Sequence, residues 1–304
     1  MLKAPAEAAG LRKRKLKKDI PYYLMLLPFL LVFALFMLIP VLSAVAMSFT
    51  DFNMIQLPSF VGLDNYIRIF AEDEIFNLAL KNTLLFAIIT GPIGYILSFL
   101  VAWLINEFGK GIRSVITLIV YAPTLAGNVY FIWTYIFSPD SRGFLNHLLV
   151  QLGIVSDPIM WLTDAKLSFW VVVLVIVWLS FGAGFLSFIA GLQALDRTYY
   201  EAAAMDGLKN RWQELYYVTF PQMGPQLLFG AIMSISGAFA VGYQNMALTG
   251  FPSTDYATHT LVLHIMDFGS IRYEMGYASA LAVVLFAIML AAWAVIDKVL
   301  KKFN

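Results

Sequence analysis

The 304-residue chain contains no cysteine, which removes disulfides, thiolate metal sites and cysteine nucleophiles from consideration. Charge is scarce as well. Asp, Glu, Lys and Arg account for 13% of the residues and hydrophobic side chains for 61%, against roughly 25% and 45–50% in a soluble domain. The three histidines, His147, His259 and His264, fall in connecting stretches and read as exposed structural side chains, so neither a metal cluster nor an acid–base pair is foreshadowed. No G-x-x-x-x-G-K-[ST] run occurs, and FGKGIRS at 108–114 lacks that spacing. The chain therefore has no Walker loop to cradle nucleotide phosphates, and it reads as a non-enzyme. The stretches 22–49, 82–105, 114–137, 167–195, 222–248 and 275–296 contain no Asp, Glu, Lys, Arg or His. Transporters driven by protons or ions carry ionisable groups within their spans, because the relay needs them. That class is disfavoured here.

What is present is six apolar runs, each near or above the ~20 residues that cross a bilayer as a helix. The alternation of apolar and polar residues that marks a membrane barrel is absent. The expected fold is an all-α integral membrane protein with six transmembrane helices. The basic run KRKLKKD before the first stretch, with SAVA near its end, has the look of a signal peptide. The apolar region is far longer than the usual 7–15 residues of one, so an uncleaved first span is expected. Residues 1–20 then form a basic segment and residues 21–304 the six-helix domain. With an even number of spans both termini share a side. That side collects fifteen of the twenty Lys and Arg residues, which makes it cytoplasmic by the positive-inside rule. Of the opposite connections, 50–81 and 138–166 each hold a candidate interfacial helix. The third, 249–274, reads as a polar loop whose TDYATHT run (254–260) offers a docking surface or a plain loop. No internal repeat of the inverted-topology kind is visible.

The least hydrophobic long segment between spans is YYEAAAMDGLKNRWQELYYVTFP, 199–221, between the fourth and fifth. Its EAAAM run is made of helix formers, and Gly207 tolerates the left-handed conformation that ends helices. Asn210, with Gln213 three residues on, is a variant capping box, so a second helix is expected to start there. Pro221 and Pro225 suit the first turn of the next span. Ala202, Ala203 and Ala204 allow close approach of another backbone, and Glu201 offers a charge to a basic partner. From the residues alone, a solvated loop and a docking surface for a cytoplasmic protein stay equally open.

EAAAMDG followed by VTFP resembles the EAA loop of binding-protein-dependent ABC importer permeases, with Phe220 in place of that pattern's Leu. SFTDFN, FVGLDNYIRIF, LKNTLLFAI and GFLNHLLVQLGI are similar to sugar-type membrane subunits related to the maltose and glycerol-phosphate importers, and the resemblance covers nearly the whole chain beyond residue 20. It implies a type I ABC importer transmembrane domain in a bacterial or archaeal cytoplasmic membrane. Residues 196–221 would form coupling helices seated in a groove of the ATPase, with Glu201, Ala202, Ala203, Asp206 and Gly207 carrying the contact. The implied partners are two ATPase subunits, which would bind Mg-ATP, a second and non-identical permease, an extracytoplasmic solute-binding protein, a carbohydrate and the lipid bilayer. Nucleic acid is not among them.

Polar groups within the spans are few. Span three offers Asn128, Tyr130, Trp133 and Tyr135, span four Trp178, Ser180 and Ser187, and span five Ser234, Ser236, Tyr243, Gln244 and Asn245. Ser236, Ala240 and Gln244 are spaced to share one face of a continuous helix. Such residues commonly bind helices to one another, and that role stays open for each. In maltose-type permeases the spans on either side of the EAA loop line the sugar site. By resemblance, the expected pathway is Trp178, Ser180, Ser236, Ala240 and Gln244, and a carbohydrate is expected to be its cargo, an oligosaccharide before a glycerol phosphate.

Overall fold

The computed structural model describes residues 21–300 except Asn128, and the side chains through Lys298. The basic segment 1–20, the terminal Lys301 and Lys302, and the candidate Asn128 lie outside the described residues. Among those described, the fold is helical, with one isolated bridge between Thr50 and Phe60. Four helices are long and apolar enough to cross a membrane, or six if two bent pairs each count as one span.

Helix α1 (Pro21–Met47) is exposed along almost its whole length and packs on the rest through Ile39–Met47. A short α2 (Asp64–Ile67) runs on through a π-turn at Arg68–Glu72. The central element is α3 (Glu74–Asn106), whose 33 residues would span about 50 Å at 1.5 Å per residue. Asp73 caps it, accepting from the Phe76 N–H at 3.0 Å. The third apolar run divides into α4 (Lys110–Leu125) and α5 (Tyr130–Ile136), and α6 (Phe144–Gln151) follows as the expected short helix of the next connection. The fourth divides into α7 (Ala165–Trp178), capped by Asp164, and α8 (Ala183–Ala194). Helices α9 (Arg197–Met205) and α10 (Arg211–Glu214) lead into α11 (Gly224–Phe239), α12 (Tyr243–Thr249), α13 (Leu261–Met266) and α14 (Met275–Leu300).

Three buried clusters hold these helices together, and α3 contributes to each. Phe76 joins Leu261, Phe268 and Leu281; Phe99 joins Phe185, Phe188 and Met223; Phe86 joins Phe137, Val172 and Leu248. Between apolar helices in lipid, small residues permit the close approach that dispersion needs. Gly230 shows this: a Cβ there would meet the Phe188 ring at 2.2 Å.

At the Asp73 end of α3 a cap of short elements is bound down tightly. The Asn82 amide donates to the carbonyls of Tyr256 and His259, each at 2.9 Å, and the Thr83 hydroxyl accepts from the Leu261 N–H at 2.8 Å. Two expectations are corrected here. His259 and His264 are each 1% exposed and paired to one another at 3.3 Å, and only His147 lies on the surface. Thr258, His259 and Thr260 are buried, which leaves residues 254–257 of the TDYATHT run exposed or half-buried. The stretch read as a polar loop also holds α13, whose Leu261 and Leu263 are buried.

Candidate functional site

Two interrupted spans define the site. Between α7 and α8 the backbone leaves the helix over 179–182, where the Ser180 hydroxyl turns back onto the Val177 carbonyl at 2.7 Å and the Gly182 N–H donates to Ser180 O at 2.8 Å. Between α11 and α12 the axis bends by 47°. There the Gly242 N–H, released from the helical ladder, reaches the Gln244 side-chain oxygen at 3.3 Å. Non-helical backbone at membrane depth persists only where protein or a cavity surrounds it. The two breaks and the middle of α3 enclose a cavity of about 250 Å³, lined by Thr90, Gly94, Tyr95, Ser98, Leu179, Ser180, Gly182, Phe185, Phe188, Ser234, Val241 and Gln244 among others. Its polar groups are hydroxyls and one carboxamide, and no carboxylate, amine, guanidinium or imidazole lines it. Such a wall offers hydrogen bonds and aromatic faces to an uncharged solute.

Of the expected pathway residues, Ser180 and Gln244 line this cavity, and Trp178, Ser236 and Ala240 do not. Trp178 stands edge-on to Trp133 with centroids 5.1 Å apart. Ser236 and Ala240 are exposed on the flank of α11. The shared face assigned to Ser236, Ala240 and Gln244 needs one continuous helix, and the break at 240–242 turns Gln244 away from the other two. Asn245 is fully buried and donates to Thr258 O at 2.7 Å, which makes it a tie to the cap. The residues missed are those of α3. Thr90, Gly94 and Ser98 recur every four positions in the apolar middle of that helix, a stripe of small or hydroxylated residues that the sequence displays.

The second feature is the pair α9 and α10. Asp196 caps α9, accepting from the Thr198 N–H at 3.0 Å, so the helix begins at Arg197, ahead of the EAAAM run and at the start of the 196–221 stretch. It ends as foreseen. Gly207 has φ +96°, Leu208 N–H bonds Ala203 O at 3.1 Å and Gly207 N–H bonds Ala204 O at 3.1 Å, the two bonds of a Schellman stop. The Asn210 side chain accepts from the Gln213 N–H at 2.9 Å, and Gln213 accepts in return from the Lys209 N–H at 2.9 Å. Helix α10 continues through a π-turn at Leu215–Thr219 to Phe220–Gln222. Pro221 therefore sits in its last turn rather than opening the next span, and the preceding π-turn loosens the ladder where a proline ring would clash. Pro225 does lie in the first turn of α11. Glu201, Ala202, Asp206 and Gly207 are exposed and Ala203 is buried. Glu201 also lines a wide opening of about 730 Å³ with Glu107, Lys110, Arg113, Arg197, Arg211 and Glu214.

At the other end of the molecule, His264 Nε2 meets Asp73 Oδ2 at 2.8 Å and the Tyr277 hydroxyl donates to the same oxygen at 2.6 Å. Burial, and then the neighbouring His264, push the His259 pKa down to about 4. Asp73 is held below the usual carboxylate value: burial opposes this, and hydrogen bonds from Tyr277, His264 and the Phe76 N–H outweigh it.

Residues 94–302 match the family model described as binding-protein-dependent transport system inner membrane component. Over 285 residues the chain is 31% identical to the probable ABC transporter permease protein YesP of Bacillus subtilis (strain 168), covering 91% of this chain and 90% of that protein. It is 30% identical to the lactose transport system permease protein LacF of Rhizobium radiobacter, covering 82% of this chain and 84% of LacF. Its fold matches that of a chain in the crystal structure of a bacterial ABC transporter involved in the import of the acidic polysaccharide alginate, with a TM-score of 0.78 over 95% of this chain and 98% of that one at 24% identity.

Proposed function

The chain belongs to the family of binding-protein-dependent transport system inner membrane components, and on that premise we propose that it is the membrane-spanning subunit through which an ATP-driven importer passes a carbohydrate. It is a multi-pass membrane protein and a transport component rather than an enzyme. In this reading an extracytoplasmic binding protein delivers an oligosaccharide, and the solute crosses to the cytoplasm by alternating access. Two partner ATPases bind and hydrolyse Mg-ATP, and a second, non-identical permease completes the pathway. The protein sits in a bacterial or archaeal cytoplasmic membrane with six spans, its bent helix pairs each counting as one, and with both termini and the α9–α10 pair on the cytoplasmic side. The exposed Glu201, Ala202, Asp206 and Gly207 form the contact with the ATPase, and Ala203, expected among them, is buried within this chain and supports the helix from behind.

The observation that carries the reading is the uncharged cavity between the local break at 179–182 in the span before α9 and the 47° bend in the span after α10. Broken helices whose freed backbone groups face a cavity at the bilayer midplane are a recurrent way of building a solute site. A phosphate ester would call for Arg or Lys at such a site, and the lining has neither, so a neutral sugar is favoured over glycerol phosphate. The named cargo of LacF, lactose, is of this neutral kind.

The test is mild purification from native membranes followed by mass spectrometry and transport in vesicles. The expected result is co-purification of an ATPase, a second permease and a binding protein, with ATP-dependent uptake of a neutral sugar. A chain that emerges alone and moves solute without ATP would overturn the proposal.

A further inference from the structure

Arg211, the first residue of α10, reaches across to the far end of α3. Its guanidinium holds Glu107 at 2.7 Å and Glu214, in its own helix, at 2.9 Å. A second contact lies beside this one. Trp103 and Glu107 are four residues apart at the end of α3 and share a face. Trp212 follows Arg211, and the two indoles meet with centroids 5.3 Å apart and planes at 48°. We propose that this double contact is a releasable latch that passes movement of the second coupling helix to α3, and through α3 to the solute cavity. The proposal rests on the importer reading, because it needs an ATPase to move α10.

The energetics suit a latch better than a strut. The side chains of Arg211 and Glu107 are 62% and 41% exposed, and an ion pair so wet is weak and readily parted. Parting buries neither charge alone. Arg211 keeps Glu214, while Glu107, 41% exposed, is left to water in an opening it shares with Lys110 and Arg113. A pair that can dissociate without leaving a desolvated charge can serve two conformations.

The element it would move is the right one. Ser98, Gly94 and Thr90 line the cavity and stand roughly 14–26 Å along α3 from Glu107 at 1.5 Å per residue. The opposite end of α3 is clamped by Asp73, Asn82 and Thr83 to the cap. At the latch end Ala102 and Ile105 of α3 are packed with Leu215, in the continuation of α10, and Met223, so a pull on α10 carries this end of α3 with it, and α3 tilts about its clamped end. Gly94 and Ser98, which face the Ser180 break, are the groups such a tilt displaces.

The absence of cysteine makes the test clean within this subunit. The pair Glu107→Cys/Arg211→Cys is introduced into the assembled importer in proteoliposomes, and bridging by a bis-methanethiosulfonate reagent whose spacer replaces the reach of the two lost side chains is compared without nucleotide and after trapping with ATP and vanadate. The expected results are a cross-link yield that differs between the two states, and a cross-linked importer that loses uptake relative to its own reduced form and regains it with reductant. In addition, Glu107→Ala should raise the ATP hydrolysed per solute moved while leaving assembly intact, which a merely structural residue would not do. Equal yields in both states, or undiminished uptake with the pair locked, would overturn the latch. Failure of the importer reading is separate: no ATPase would be recovered with the chain, whereas a working importer that transports over a locked pair rejects the latch alone.

Discussion

Gly94 lies where α3 passes the break in the fourth span, and replacing it with alanine tests whether that contact is as close as the structure has it. A Cβ at this position would stand 2.7 Å from Ser180 Cβ and 3.1 Å from its Oγ. Carbon atoms pack best at about 3.5–4.0 Å, so roughly 1 Å has to be found. Rotating the Ser180 side chain does not supply it, because rotation moves Oγ and leaves Cβ in place. The Ser180 backbone is itself restrained by the Ser98 hydroxyl, which donates to Ser180 O at 3.2 Å. Backbone must therefore shift, and overpacking of this kind costs about 1–3 kcal/mol. We expect Gly94→Ala to lower the unfolding free energy of the purified protein by that amount and to slow uptake. Ser180→Gly, which removes the clashing atom, should recover most of the loss in the double variant. Gly111, where an added Cβ meets nothing within 4 Å, is the control. The assay is denaturant unfolding in detergent followed by tryptophan fluorescence, beside uptake in vesicles. A Gly94→Ala protein as stable as its parent, or a deficit that Ser180→Gly leaves untouched, would refute the reasoning.

Glu201→Lys reverses the charge on the exposed face of α9 and should reduce ATP-driven uptake and ATPase recovery on purification, with membrane insertion unchanged; normal uptake would count against the coupling role. Gln244→Leu removes the carboxamide from the cavity and from the Gly242 N–H, and is expected to impair transport more than assembly, whereas an assembly defect alone would assign Gln244 to holding helices together. The cap should loosen in acid. An imidazole whose folded pKa is about 4 refuses the proton that the unfolded chain accepts below its ordinary value near 6.5, so stability present above that value is lost as pH falls towards 4, by roughly 3 kcal/mol at most. Asp73, held low, adds a loss of the same sign below its ordinary carboxylate range. Hydrogen exchange of residues 258–264 between pH 7 and pH 4 reads the His259 part, and the Asp73 part appears only on further acidification; protection that is flat between pH 7 and pH 4, or that does not flatten when His259→Phe is introduced, would contradict the account.

The parts of this molecule that were legible in the sequence are those set by neighbouring residues. The α9–α10 pair is built from such signals: Gly207 supplies the positive φ, and Asn210 with Gln213 closes the cap. The apolar runs were legible because bilayer thickness fixes a length and charge is excluded from it. Contacts between distant segments left no local trace. His264 and Tyr277 find Asp73 from 191 and 204 residues away, so two histidines that looked exposed are buried, and the end of the loop that carries them is tied into the fold.

The interruptions of the spans were hidden for a different reason. Residues 179–182 and 240–242 read Leu-Ser-Phe-Gly and Ala-Val-Gly, small and apolar enough to leave the hydropathy of each run continuous. A scale of transfer energies registers side chains leaving water. It does not register a backbone leaving its helix, and here the backbone departs where Gly182 and Gly242 permit it, with a serine or glutamine side chain taking up a released group. A site made this way presents no charge to a motif search. What it does present is a repeated small or hydroxylated residue on the helix opposite, as Thr90, Gly94 and Ser98 do on α3. Their spacing of four is useful only because the facing chain has stopped being a helix, since two intact helices would close over the space the cavity now fills.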